Sequence, residues 1–297
     1  MGRSPGLEPV ASDDEGACFE RAADAVVDGD LVTLAALLAA DPGLATARSE
    51  RVTDRTPPVH RATLLHYIAA NGVEDERQRS PANAVEVARL LLSAGADPNA
   101  LADMYGGECT TLSLLVSSTP PARAGVQVPL IDALVDCGAS VEPLGSGHWG
   151  SPLITALVFG FVEAAESLVR RGAAVNSLAA AAGLGRLDGV RTMLPAASAD
   201  DRQQALALAT QHGHLEVTRA LLDAGADPNR LNPSGMHAHA TPLHHAALGG
   251  HEAVVRLLVE RGARIDVEDT IYQATPAGWA AHGGHLAIAD YLGARLS

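Results

Sequence analysis

Apolar residues fall along this chain in short stripes with helical spacing. Val254, Leu257 and Leu258 stand at i, i+3 and i+4, one face of an α-helix. The segment that holds them, Val254 to Ala263, closes on Gly-Ala. Four other segments run to the same ending: Val87 to Ala96, Ile131 to Ala139, Ala164 to Ala173 and Val217 to Ala226. Glycine after such a stripe stops a helix, because it adopts a left-handed conformation that a Cβ penalises. The elements predicted are short helices, stopped at intervals.

A second pattern precedes the stripes. Thr241-Pro242-Leu243-His244-His245-Ala246-Ala247-Leu248-Gly249-Gly250-His251 aligns without gaps with Thr275-Pro276-Ala277-Gly278-Trp279-Ala280-Ala281-His282-Gly283-Gly284-His285, 34 positions further on. Threonine caps a helix by accepting a bond from an unpaired N–H. Proline follows at the first helical position, where its missing N–H costs nothing. The paired alanines let neighbouring helices approach closely, and Gly250 ends the first helix. Gly95-Ala96-Asp97-Pro98-Asn99 and Gly225-Ala226-Asp227-Pro228-Asn229 add a shared closing motif. The threonine-proline-leucine-histidine run and a period of about 33 residues resemble the ankyrin-repeat family, in a bacterial-type form. The resemblance implies an all-α solenoid of about eight stacked helix-turn-helix units, with long finger loops and a concave face.

On that reading residues 1–17 are a disordered tail and 18–297 one solenoid. It has a cap at 18–44, repeats at about 63–100, 110–142, 151–176, 176–199, 204–230 and 241–267, and a carboxyl cap at 275–297. Insertions at 73–83 and 117–129 interrupt the second and third units. The fifth unit is short and lacks the capping threonine. Loops 46–62, 101–109, 143–150, 230–240 and 268–274 exceed a minimal turn, and insertions in repeat proteins gather on one face, often the binding face.

Composition narrows the function. Hydrophobic residues make up 47% of the chain, enough for a large core, while aromatics make up only 3%, which suits helices packed through small side chains. A net charge of -14 argues against nucleic acid and anionic membranes as partners and favours a basic partner surface. Cys18, Cys109 and Cys137 form no paired framework and read as free thiols in a reducing compartment. No basic flank leads into an apolar run near Met1, and no run is long enough to span a membrane, so a cytoplasmic monomer is expected.

In the ankyrin family the fingers and the exposed ends of the first helices line the concave surface. The resemblance therefore implies binding roles for Tyr105, His148, Trp149, His237, His239, Ile271 and Tyr272 on fingers. Asn71, Phe159, Gln211, His212 and His282 follow from helix ends, and Tyr67, His245 and Trp279 fill the variable slot of the motif. Tyr and Trp outside a repeat core are typical interface anchors, although they can equally staple one finger to the next. His66 and His244 are motif histidines expected to bond within their own turn, and His214, His251 and His285 open second helices.

His237-x-His239 on an extended finger points both rings to one side, with His245 nearby, a spacing that can bind zinc or copper. No cysteine or clear carboxylate completes a set, so no metal is expected. Nor does a phosphate loop, nucleophile elbow or HExxH motif call for a cofactor. The function expected is a protein–protein interaction module that takes a partner protein or peptide on its finger and helix surface. The alternative is a small-molecule binder or cofactorless enzyme in the same groove, with an acid/base pair drawn from His237, His239 and Glu268.

Overall fold

The computed structural model describes residues 12–70, 73–105, 107–144 and 151–295, with side chains from residue 16 onward. Sixteen α-helices lie among the described residues, and with one 3-10 helix they make up eight units. The pair α1 (Ser12–Asp28) and α2 (Leu31–Ala40) comes first, and α1 begins inside the segment read as a tail. In the second unit a 3-10 helix, Leu64–Ala69, precedes α3 (Ala84–Ser93); in the third, α4 (Thr111–Leu115) and α6 (Gln127–Asp136) flank a short α5 (Thr119–Arg123). Then come α7 (Pro152–Val158) with α8 (Val162–Arg170), α9 (Leu178–Gly183) with α10 (Leu187–Met193), and α11 (Ala199–Gln211) with α12 (Leu215–Asp223). The last pairs are α13 (Pro242–Leu248) with α14 (Glu252–Glu260), and α15 (Pro276–His282) with α16 (Leu286–Gly293).

The helices stop where the repeat pattern says they should. Gly250 has φ +72° and Gly262 φ +86°, both in the left-handed region. At Gly262 a Cβ would meet open space, whereas at Gly250 it would fall on the His285 ring. The fifth unit, which lacks threonine, uses Ser177 instead, whose Oγ accepts the Ala180 N–H at 3.1 Å. The insertion 117–129 is absorbed into the helical build, and the Gln127 amide bonds the Leu115 carbonyl at 2.9 Å.

Residues group into two compact units, Met1–Thr155 with Arg170–Gly172 and Ala156–Val169 with Ala173–Ser297. Within the amino-terminal unit α1 packs on the 64–69 turn, that turn on α4, and α3 on α6. Within the carboxyl-terminal unit α9 packs on α11, α11 on α13 and α13 on α15. Small side chains permit this: Ala246, Ala247 and Ala280 are buried, and Leu243, Val254, Leu258 and Ile288 complete the cluster.

One loop departs from helix. Residues 101–110 form an antiparallel hairpin, β1 (Leu101–Met104) and β2 (Gly107–Thr110), with Leu101 opposite Thr110. No described helix is long and apolar enough to cross a membrane. The three cysteines are free, and burial pushes the Cys109 thiol up to about 12.

Candidate functional site

The two fingers of the carboxyl-terminal unit, 230–240 and 268–274, converge on α13 and α15. The organising group is Asp269, which is buried. Its carboxylate accepts the main-chain N–H groups of Ile271 at 2.9 Å, Tyr272 at 2.7 Å and Ala274 at 3.1 Å, and the Trp279 indole N–H at 2.9 Å. Burial alone would raise its pKa. The bonds from Tyr272, Trp279, Ile271 and Ala274 outweigh that and hold it at about 2. A short loop is thus folded round one charge, and its tip turns outward: Ile271 is 62% and Tyr272 72% exposed.

The neighbouring finger is tied to it. The Thr270 N–H bonds the His239 carbonyl at 2.9 Å. The His239 ring lies 6.0 Å from Tyr272 and 5.7 Å from Trp279, centre to centre. His237, at φ +57°, faces His245 at 5.0 Å and is 3.0 Å through Nε2 from the Val158 carbonyl. His212 Nε2 stands 2.8 Å from the Leu157 carbonyl, so the end of α7 is covered by imidazoles.

Most of these rings are committed. His244 Nδ1 accepts the Thr241 N–H at 3.2 Å, which leaves Nε2 to donate to the Ala274 carbonyl at 3.1 Å. The motif histidine therefore closes its own turn and holds the next finger. His66 repeats this at Thr63 and Cys109. His214 and His251 each reach back to the preceding repeat, to the carbonyls of Gly183 and Gln211, both at 2.9 Å. His245 is the exception: its Nε2 is buried without a partner. Burial pushes its pKa down to about 3, with His237, His239, His244 and His212 acting in the same direction.

Helix pairs in sequence, two of them opened by a threonine–histidine turn and most of them stopped at a glycine, match what comparison with known proteins finds. Models for ankyrin repeats match residues 60–103, 194–259 and 231–295. Mouse cyclin-dependent kinase 4 inhibitor B is 33% identical over 116 residues, which cover 88% of that protein. The chain belongs to the ankyrin-repeat family. Ankyrin repeat and KH domain-containing protein mask-1 of Caenorhabditis elegans is 26% identical over 215 residues, 70% of this chain but 8% of the worm protein. Mouse protein fem-1 homolog A-like is 34% identical over 193 residues, 58% of this chain and 28% of the relative. The chain thus spans a small part of these last two, and all three relatives are animal proteins.

Set on the ankyrin frame, the residues expected at the surface divide. Tyr272 and His282 are exposed, Phe159 is 45% exposed beyond α7, and Tyr105 is 49% exposed at the turn of the hairpin. His212, His237 and His239 are half-buried. Tyr67, His245 and Trp279 are interior, so the variable slot of the motif faces packing here and presents no surface. Asn71, His148 and Trp149 lie outside the described residues. Among the described residues no three His, Cys, Asp or Glu side chains come together as a metal would require.

A second polar cluster, in the amino-terminal unit, went unread in the sequence. Glu74, from the insertion 73–83, is buried and accepts from the Tyr67 hydroxyl at 2.6 Å, His60 Nε2 at 2.8 Å and Arg77 at 2.7 Å. Arg77 crosses to α1, bonding Glu20 at 2.9 Å and Asp24 at 2.8 Å. Burial would raise the Glu74 pKa, yet His60, Tyr67 and Arg77 together hold it at about 2. Burial opposes the Arg77 charge, and Asp24, Glu74 and Glu20 more than offset it. His60 Nδ1 accepts the Ala62 N–H at 3.2 Å, so the ring is satisfied on both sides. This cluster fastens an insertion to the first helix. The i, i+3 spacing of Glu74 and Arg77 was its one visible trace; α1 supplies Glu20 and Asp24 from more than fifty positions away, and His60 and Tyr67 come from the first finger and the 64–69 turn.

Proposed function

We propose that this ankyrin-repeat chain is a protein-interaction module whose carboxyl-terminal fingers bind a partner protein or peptide. One observation carries the reading: Ile271 and Tyr272 stand in solvent on a loop fixed from behind by a buried carboxylate. Exposed apolar residues on a mobile loop lose ordering entropy when they bind. Held in place beforehand, they lose little, and an aromatic so presented is a natural anchor. His239 lies against Tyr272 and His237 against His239, and in this reading His212, His282 and Phe159 extend the surface with polar edges and ring faces. In this reading Trp279 and His245 act from behind, by positioning the fingers. The mouse relative, named as an inhibitor of cyclin-dependent kinase 4, is consistent with a repeat array acting on another protein.

The test is capture of proteins by the purified chain beside an Ile271→Ser/Tyr272→Ala variant whose melting temperature is unchanged. An interface anchor is worth about 2 kcal/mol, roughly thirtyfold in affinity. A protein retained by the wild type and lost from the variant is the expected result. Identical retention by both chains would remove this surface from consideration.

A further inference from the structure

The first finger, 46–62, is an extended loop with an open edge. Ser49 N–H bonds the Ala62 carbonyl at 2.8 Å, Thr53 N–H bonds the Pro58 carbonyl at 2.7 Å, and Val52 pairs with Val59. On the other side of 58–62, Asp103 N–H of β1 bonds the His60 carbonyl at 2.8 Å, and β1 pairs with β2. Residues 49–53, 58–60, β1 and β2 therefore lie side by side, with a left-handed turn at Arg61 (φ +52°) ending the second segment, and 49–53 is the outermost. Strand alternation turns the main chain of Ser49 and Thr53 inward and that of Glu50 and Val52 outward. Among the described residues the N–H groups of Glu50 and Val52 have no hydrogen-bond partner.

Natural edges are usually guarded by charge, proline or a covering element. Here Val52 is 73% exposed on the edge itself. Beside the edge lies a groove of about 640 Å³ against α1, with Phe19, Leu44 and Ala47 in its floor and Asp41 and Glu50 on its rim. The two arginines in its wall are already engaged. Arg48 bonds the carbonyls of Arg61 and Leu101, and Arg51 pairs with Glu20, Glu74 and Glu76. Glu50 has no ion pair among the described residues, so the rim is left acidic.

We propose that residues 49–53 take up an extended basic peptide by strand addition, with an apolar side chain in the groove beside α1. The two outward N–H groups supply the main-chain bonds. Val52 calls for an apolar residue across from it and Glu50 for a lysine or arginine, since directly opposed cross-strand pairs interact most strongly. This surface is separate from the carboxyl-terminal fingers and stands whether or not they bind a partner.

The probe is a dye-labelled octapeptide repeating lysine-threonine-valine-threonine, which sets lysine and valine two apart on one face as Glu50 and Val52 are, blocked at both ends and followed by fluorescence anisotropy on the full chain. It is compared with a glutamate–valine analogue and with a copy N-methylated along one edge, which cannot pair as a strand. The wild type is expected to bind the lysine peptide and neither control. Val52→Pro removes an N–H that the fold does not use, and an edge tolerates proline. It should weaken binding about three- to tenfold, the worth of one hydrogen bond. Glu50→Lys should weaken it too, by a factor that shrinks as salt is added. The proposal is overturned if the N-methylated copy binds as well as its parent, if nothing binds, or if neither substitution matters. It is equally overturned if the wild type dimerises through this edge and Val52→Pro makes it monomeric, since the occupant would then be a second copy. The N-methylated peptide leaves the chain untouched, so the test survives even if a variant fails to fold.

Discussion

Tyr67, His245 and Trp279 occupy the same position of the repeat, one residue after the motif histidine or its equivalent, and each meets different electrostatics. The Tyr67 hydroxyl donates to Glu74, inside a web of buried charge that includes Arg77. The Trp279 indole donates to Asp269. His245 lies between His237 and Trp279, with Nε2 unpaired. The repeat fixes where the slot points, and whichever loop passes by decides what fills it. In the amino-terminal unit an insertion brought a carboxylate and an arginine; in the carboxyl-terminal unit two fingers brought one carboxylate and a set of imidazoles. The first cluster works only with Glu74 ionised and the second only with His245 neutral, so falling pH should reach the second before the first.

The largest effect is expected at the buried charges. Glu74→Ala would leave the Tyr67 hydroxyl and His60 Nε2 unpaired and take one of three carboxylates from buried Arg77, and should cost about 3–5 kcal/mol, read from denaturant unfolding. Replacing both partners, as Glu74→Leu/Arg77→Met, should restore part of that loss, because an apolar pair carries no uncompensated charge. A single variant that costs under about 1 kcal/mol would mean that water already reaches the web.

Acid should act on the other cluster. Unfolded, His245 takes up its proton near 6.5; folded, only near 3. The unfolded chain therefore binds more protons between those values, and this part of the stability is whole above 6.5 and falls as pH drops toward 3. The slope is about 1.4 kcal/mol per pH unit for one titrating group. Glu74 loses its contribution lower, from 4.5 toward about 2. His245→Leu should flatten the acid slope between the two histidine values and leave stability at neutral pH equal or slightly higher, because it removes an unpaired buried nitrogen. An unchanged slope in pH-dependent melting would contradict the assignment.

The smallest effects concern the helix stops. Gly262→Ala meets only backbone strain, about 1–2 kcal/mol. Gly250→Ala adds a collision with the His285 ring and should melt lower than Gly262→Ala. Equal melting temperatures would mean that His285 gives way freely.

The order of these effects also shows how much the sequence could reveal. Gly250, Gly262, the Thr241–His244 turn and the Val254/Leu257/Leu258 stripe were legible, because each answers a local backbone demand that recurs with the period. Ser177 was missed as a cap only because serine stood where threonine was sought. The exposed tip at Tyr272 was legible as a finger position. Its anchor at Asp269 was not, since a carboxylate folded back on its own loop leaves no spacing to read. The web round Glu74 was invisible for a different reason. Its partners come from α1, the first finger, the 64–69 turn and the insertion, which are brought together only by packing.

The most direct test of the contrast is amide hydrogen exchange at pH 7 and under mild acid, corrected for intrinsic rates and resolved by segment. Among the described residues, burial lowers the pKa of His212, His214, His244 and His245 in the carboxyl-terminal unit, against His66 alone in the amino-terminal one. Protection should therefore fall first across 230–274 while 60–104 holds, and the finger that displays Tyr272 should loosen with it. Loss of protection in 60–104 first, or in both segments together, would contradict the account.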